Sequence, residues 1–96
     1  MTVPLSRFAE PEITDFLNKF NLSTCWLLNF RIVVDPEPFL RNAFFTKYKE
    51  VGFVVNETQR DKSKQLVEIA RRNNVAAIAY LSRYVKEDSF LICVKR

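Results

Sequence analysis

The 96-residue chain contains no histidine, one glycine and two cysteines. Without histidine, no imidazole is present to act as a general base, to complete a hydrolytic triad or to bind zinc. A single glycine excludes the glycine-rich loops that cradle phosphate groups. Two cysteines are too few for a cysteine-rich metal site. The composition therefore excludes several large classes of enzyme, and we expect a protein without a metal or another cofactor.

Long apolar segments are also missing. No uncharged run approaches the roughly 20 residues that a helix needs to cross a bilayer, and the first ten residues lack the apolar centre of a secretory leader. Disulfides are rare in the cytosol. We therefore expect a cytoplasmic protein with no membrane partner, in which Cys25 and Cys93 are reduced thiols rather than a disulfide.

The residues that are present suit a single small domain. Hydrophobic residues make up 48% of the chain and aromatic residues 14%, which is ample material for one core. The net charge of +4 permits nucleic acid or an acidic protein as a partner but is mild beside dedicated nucleic-acid binders. The charge therefore does not decide the function.

The hydrophobic pattern predicts one helix followed by the order β-α-β-α-β-β. We expect an α/β (α+β) two-layer sandwich with a four-stranded mixed sheet, two helices on one face, and an extra N-terminal helix. The last two strands are predicted to form a hairpin. Residues 1–24 are expected to be a helical extension and residues 25–96 the two-layer domain. The predicted helices are 11–21, 39–48 and 58–72, and the predicted strands are 25–34, 49–57, 75–85 and 89–95. Asp35 is the expected N-cap before the second helix, Thr58 and Asp61 are expected to form a capping box at the start of the third, and Asn73-Asn74 is expected to end it.

The N-terminal helix carries an apolar stripe at helical spacing, formed by Ile13, Phe16, Leu17 and Phe20. The first and last predicted strands are apolar on both of their faces, and two helices on one side of a sheet can cover only one face. We expect the N-terminal helix to cover the other face, in its own chain or across a homodimer.

A more specific pattern lies where the first strand meets its helix, in the segment that ends Asp35-Pro36-Glu37-Pro38. The segment resembles the sulfur-carrier family that includes TusA and SirA, in which the first strand runs into a Cys-Pro-x-Pro motif at the start of the first helix. Leu28, Arg31, Pro36 and Pro38 match that family in type and spacing, and Glu37 is a common occupant of the variable position. The resemblance implies the family's two-layer fold for the residues after the first 24.

The chain departs from this family at the residue that matters most, because Asp35 stands where the acceptor cysteine should be. The family's thiol works because a helix N-terminus offers free N–H groups and about half a positive charge, which favours the thiolate. A carboxylate suits the same position as an N-cap but cannot carry sulfane sulfur. Asn29 in place of aspartate and Ile32 in place of glycine are two further departures. The resemblance thus implies a member that keeps the structure and lacks the chemistry.

Another thiol could take over the role of the missing one. Cys25 lies at the start of the first strand, where side chains are often exposed, so it is the candidate reactive thiol, although core packing remains an equal alternative. Cys93 lies in the middle of the last strand between apolar neighbours, and we expect it to pack in the core.

Basic residues on and after the second main helix form a candidate binding patch. They could bind phosphate while Tyr80 and Tyr84 stack on bases, or they could be an ordinary solvated surface with the tyrosines packed under the N-terminal helix. No nucleic-acid signature accompanies them, which favours the solvated surface. The patch comprises Arg60, Lys62, Lys64, Arg71, Arg72 and Arg83.

Two functions follow from the sequence. The first is a protein that is not an enzyme, an interaction or scaffold protein of the TusA/SirA-like fold whose partner is another protein or a second copy of itself. The alternative is a small basic nucleic-acid-binding module, similar in element order to the Alba chromatin proteins or to the C-terminal domain of translation initiation factor three. Only the motif at Asp35 to Pro38 separates them, because the first function explains it and the second does not.

Overall fold

The computed structural model describes residues 2–3, 10–30 and 35–95. The helices and strands follow the predicted order, with one short strand added before the first helix. Residues 31–34, which complete the predicted first strand, lie outside the described residues. The elements are β1 (Thr2–Val3), α1 (Pro11–Lys19), β2 (Leu22–Asn29), α2 (Pro36–Leu40) with its π-helical continuation (Arg41–Phe45), β3 (Glu50–Asn56), α3 (Arg60–Arg72), β4 (Ala76–Ser82) and β5 (Ser89–Lys95).

The strands form one mixed sheet in the order β1-β2-β5-β3-β4. β3 and β4 are parallel and are joined through α3, whereas β5 runs antiparallel to both β2 and β3. The two-residue β1 adds to the outer edge of β2. The four long strands are the predicted four-stranded mixed sheet, and this part of the prediction is confirmed.

The predicted hairpin of the last two strands is wrong. β5 lies between β2 and β3 and has no pairing with β4. Its residues from Ser89 to Val94 are all buried, and only a strand in the interior of a sheet with both faces covered can bury such a run. In a hairpin with β4, β5 would instead have been an edge strand, and the same residues would have been more exposed.

The loop between β4 and β5 therefore passes over the end of β3 and is fixed there. Asn56, the last residue of β3, donates a hydrogen bond from Nδ2 to the carbonyl oxygen of Val85 at 2.6 Å. The Val85 side chain is buried in the core. One polar contact and one apolar contact thus direct the chain into the gap between β2 and β3.

Two apolar layers lie on opposite faces of the sheet. On one face, α2 and α3 pack against alternate side chains of the strands and complete the two-layer sandwich. On the other face, α1 packs through Ile13, Phe16 and Leu17. The prediction that the N-terminal helix covers the second face is confirmed, and the covering occurs within one chain.

The only glycine lies under α1. A Cβ atom added to Gly52 in β3 would lie 2.5 Å from Leu22 Cδ1 and 3.4 Å from the Phe16 ring. The missing side chain therefore makes the space in which α1 and the start of β2 approach the sheet.

The start of α3 differs from the prediction, whereas its end agrees with it. We expect Thr58 and Asp61 to form a capping box, but α3 begins at Arg60 after Gln59 without a side-chain cap. Thr58 instead donates its backbone N–H to Asn56 Oδ1 at 2.9 Å, so the polar side chain of Asn56 closes the turn. The expected stop after α3 is confirmed, since Asn74 adopts φ 60°, a conformation that asparagine tolerates.

Candidate functional site

The motif from Asp35 to Pro38 forms the N-terminus of α2. Asp35 has an extended backbone and is the N-cap, and its Oδ1 accepts a hydrogen bond from the Glu37 N–H at 3.3 Å. Pro36 follows in the first turn, where a missing N–H group has no cost because that group has no partner within the helix. The expected capping role of Asp35 is confirmed.

Glu37 joins the start of α2 to the end of α3. Its carboxylate accepts hydrogen bonds from Arg72 Nη2 at 2.8 Å and from Asn73 Nδ2 at 3.1 Å, and Arg41 Nη2 lies 3.4 Å away. These donors, led by Arg72, hold the pKa of Glu37 below its usual value. Glu37, which lies between the two prolines of the motif, therefore connects α2 to α3.

Asn73 is the centre of this connection. Besides contacting Glu37, its Nδ2 donates to the carbonyl oxygen of Ile69 at 2.8 Å, and its Oδ1 accepts from Arg41 Nε at 3.1 Å. The amide thus satisfies a free carbonyl at the end of α3 while holding α2. The sequence predicted Asn73 only as a helix stop, and no pattern in the sequence pairs it with Glu37.

The two cysteines lie directly opposite each other in neighbouring strands, Cys25 in β2 and Cys93 in β5. Both are fully buried. The hydrogen bond that Cys93 shares with Cys25, together with burial, raises the pKa of the Cys93 thiol. For Cys93 the expectation of core packing is confirmed, and Cys25 occupies the same environment.

The cysteines and the motif lie on opposite sides of the sheet. Cys25 and Cys93 belong to the apolar layer under α1, whereas Leu40 of α2 belongs to the layer on the other face. A thiol at position 25 therefore cannot reach the N-terminus of α2 without crossing the sheet. The structure therefore separates both thiols from the start of α2.

The predicted basic patch is spread along α3. Arg60, Lys62 and Lys64 lie in its first turns, and Arg71 and Arg72 lie roughly 10 to 18 Å further along the axis. Lys64 and Arg71 line one groove on this helix. All of these side chains are exposed. Arg72 is paired with Glu37, and Lys62 Nζ lies 5.2 Å from the centre of the Phe30 ring.

Arg83 follows β4. Because α3 and β4 run in opposite directions, Arg83 lies at the end of the sheet that also carries the start of α3. Its guanidinium group donates to Tyr84 Oη at 2.9 Å, and the Tyr84 side chain is 43% exposed. Tyr80, in contrast, stacks on Phe16 of α1 with ring centres 5.2 Å apart. The alternative of packing under the N-terminal helix therefore holds for Tyr80 and fails for Tyr84.

Among the described residues, no helix is both long and apolar enough to span a membrane. Within residues 2–3, 10–30 and 35–95, no three side chains of the types His, Cys, Asp and Glu are grouped closely enough to hold a metal ion. No protein-family model, curated protein or solved structure matches the chain.

Proposed function

We propose that the protein is a non-catalytic interaction or scaffold protein of the TusA/SirA-like fold. One observation carries the proposal. The position of the family's acceptor thiol is occupied by a capping carboxylate, Asp35, while both thiols of the chain lie on the opposite face of the sheet. The helix N-terminus keeps its geometry and offers no atom that could accept sulfur.

The surface next to the motif supports a docking role. Pro38 and Phe39 follow Glu37 in the first turns of α2 and are exposed, Phe39 by 41%. The Phe39 ring contacts the buried Phe44 edge-on, with ring centres 6.1 Å apart, so part of the ring packs against the core. An exposed and positioned aromatic side chain is the type of residue that dominates protein interfaces.

Sulfur transfer tests the first half of the proposal. The native protein is incubated with a low-molecular-weight persulfide, and its mass is measured after the excess is removed. We expect the wild type to gain no sulfur and Asp35→Cys to gain one sulfur atom, because the helix N-terminus favours the thiolate that attacks the donor. The proposal is contradicted if the native wild-type protein gains sulfur and the Cys25→Ser variant gains it as well.

Partner binding tests the second half. Proteins retained by immobilised wild type are compared with those retained by Phe39→Ala and by Tyr84→Ala, an equally exposed aromatic residue at another site. We expect one set of proteins to be lost with Phe39→Ala and kept with Tyr84→Ala. Equal retention by all three proteins contradicts a docking role for this surface.

Nucleic-acid binding is the second candidate, and the exposed pair Arg83 and Tyr84 favours it. The Arg83 guanidinium lies 5.1 Å from the centre of the Tyr84 ring, and Lys86 lines the same groove as Tyr84, so cationic side chains lie beside an exposed ring, as in proteins that stack bases. Fluorescence anisotropy with a single-stranded oligonucleotide tests it. Binding that weakens steeply between 50 and 200 mM salt, and that Arg83→Glu reduces more than Lys47→Glu, would establish this function.

A further inference from the structure

The outer strand β4 has an unusual edge. Among the described strands, it pairs with β3 alone. Its sequence, Ala-Ala-Ile-Ala-Tyr-Leu-Ser, contains no charge and no proline. Sheet edges are commonly protected by lysine, proline or a bulge, and β4 has an unbroken register with β3 over its whole length. The edge is thus long, regular and without the usual protection.

The hydrogen bonds to β3 show which backbone groups face outward. The Ala76 N–H donates to the carbonyl oxygen of Lys49 at 2.9 Å, and the Ser82 carbonyl accepts from the Glu57 N–H at 3.2 Å. Because successive residues of a strand point their backbone groups to opposite sides, the even-numbered residues bond to β3. The N–H and C=O groups of Ala77, Ala79 and Leu81 therefore point away from β3, to the side on which no described strand lies.

We propose that this edge pairs with β4 of a second copy of the chain, antiparallel and with the two-fold axis at Ala79. In this register Ala79 faces Ala79 of the second copy, and Ala77 faces Leu81 of the second copy. Each of these facing pairs exchanges two hydrogen bonds, which gives about six across the interface. A register centred one residue away, at Ile78 or Tyr80, satisfies fewer of the outward groups, so the backbone itself selects the centre. The interface joins two sheets into one, and it does not depend on the function proposed above.

The side chains fit this register. On the face covered by α1, Ile78 lies opposite Tyr80 of the second copy, a pairing of a β-branched with an aromatic residue that favours neighbouring strands. Both side chains are only half-buried within one chain, beside Phe16 and Phe20. On the other face, Ala79 lies at the axis and Ala77 faces Leu81 of the second copy. Lys64, Glu68 and Arg71 of α3 line the groove beside Ala79, so both acidic and basic side chains border the interface there.

Charge complementarity favours a second copy over an unrelated peptide. Glu12 lies at the Tyr80 end of β4, since its carboxylate accepts a hydrogen bond from Tyr80 Oη at 3.3 Å. Lys19 lies at the other end, where it lines a groove with Ala76 and Ile78. An antiparallel two-fold arrangement brings Glu12 of each copy to the end of the interface that carries Lys19 of the other copy. Asp15 lies between them beside Ala79 and comes near its own copy at the axis, so two pairs of opposite charge stand against one pair of like charge.

Cysteine cross-linking tests the register. Ala79→Cys is oxidised with copper phenanthroline and analysed without reductant. Facing residues of this type have Cα atoms about 5.5 Å apart, which a disulfide can bridge, so we expect a covalent dimer. Ala76→Cys is the control, because this exposed residue of the same strand faces Ser82 of the second copy. Cross-linking of Ala76→Cys as fast as Ala79→Cys would overturn the register.

Sedimentation equilibrium tests the dimer itself. We expect the wild type to sediment as a dimer and Ala79→Lys to raise the dimer dissociation constant at least about tenfold, since like charges directly opposite each other are unfavourable. Ala79→Pro removes an outward N–H group that the single chain does not use, and it should give the same result with an unchanged circular dichroism spectrum. A wild type that remains a monomer at hundreds of micromolar, or variants that dimerise like the wild type, would overturn the proposal.

Discussion

At the scale of single residues, two carboxylates hold the start of α2 in place. Asp35 caps α2 and Glu37 ties α2 to α3. Neither role requires a thiol. A carboxylate is stabilised at the same helix N-terminus that stabilises a thiolate, because both are anions near free N–H groups.

The hydrogen bond of the Asp35 cap predicts a loss of stability when its acceptor is removed. Replacing Asp35 with alanine removes the acceptor for the Glu37 N–H, so we expect the free energy of unfolding to fall by about 0.5 to 2 kcal/mol. Chemical denaturation measures the change. Asp35→Ser retains a capping oxygen and should recover most of the stability, and equal midpoints for wild type and Asp35→Ala would show that the cap contributes nothing.

Glu37 predicts a dependence on pH. Its folded-state pKa is lowered by Arg72 and Asn73, so the carboxylate adds stability at pH values above its unfolded pKa, and this stability is lost as pH falls through the folded pKa. We expect the Tm of wild type to exceed that of Glu37→Gln at pH 7 and the two to converge in acid. Glu87→Gln, in an exposed loop, should match the wild type throughout. A difference that persists at the lowest pH would contradict an ionic contribution.

At the scale of elements, local pattern was sufficient for most of the chain. The stripe of α1, the proline-marked start of α2 and the asparagine stop after α3 each follow from a spacing or a residue type that acts within a few positions. The pairing of β5 was not predicted correctly, because strand order depends on which strands can have both faces covered. The apolar residues on both faces of β5 did contain that information, but the short turn before it favoured a hairpin.

The candidate site likewise combines a local contact that the sequence predicts with long-range contacts that it does not predict. The cap at Asp35 was predictable because it involves residues two positions apart. The contact of Glu37 with Arg72 joins residues 35 positions apart, and the opposition of Cys25 and Cys93 depends on the register of β2 and β5. Neither has a local signature, since each arises only when distant elements are packed together.

The central position of β5 predicts the behaviour of the thiols. Cys25 and Cys93 are fully buried between the sheet and α1, so we expect alkylation by iodoacetamide to be limited by unfolding and to accelerate with denaturant as the unfolded fraction grows. Mass spectrometry follows the reaction. Ser23→Cys, on the exposed side of β2, should react at once in the native protein. Rapid native labelling of Cys25 would show that α1 leaves the sheet readily.

At the scale of the whole molecule, α1 completes the core. Removing residues 1–21 would uncover an apolar layer that includes Val54, Leu91 and Cys93. Each large side chain returned to water costs roughly 1.5 to 3 kcal/mol, so we expect the truncated protein to aggregate or to unfold at a lower temperature. Light scattering and thermal unfolding measure these outcomes. A truncated chain that is monomeric and as stable as the full chain would show that α1 contributes little to the core.

The strand order also governs the time at which the sheet can form. β5 separates β2 from β3, yet the ribosome makes β5 after both of them. Until then, β2 has no long neighbour in the sheet, and its pairing with β5 must close a loop of some 60 residues. Such closure is entropically costly and slow compared with local contacts. The nascent chain can therefore form the β3-α3-β4 unit early. β2 can enter the sheet only after β5 has been synthesised, because β5 is the strand that pairs with both β2 and β3.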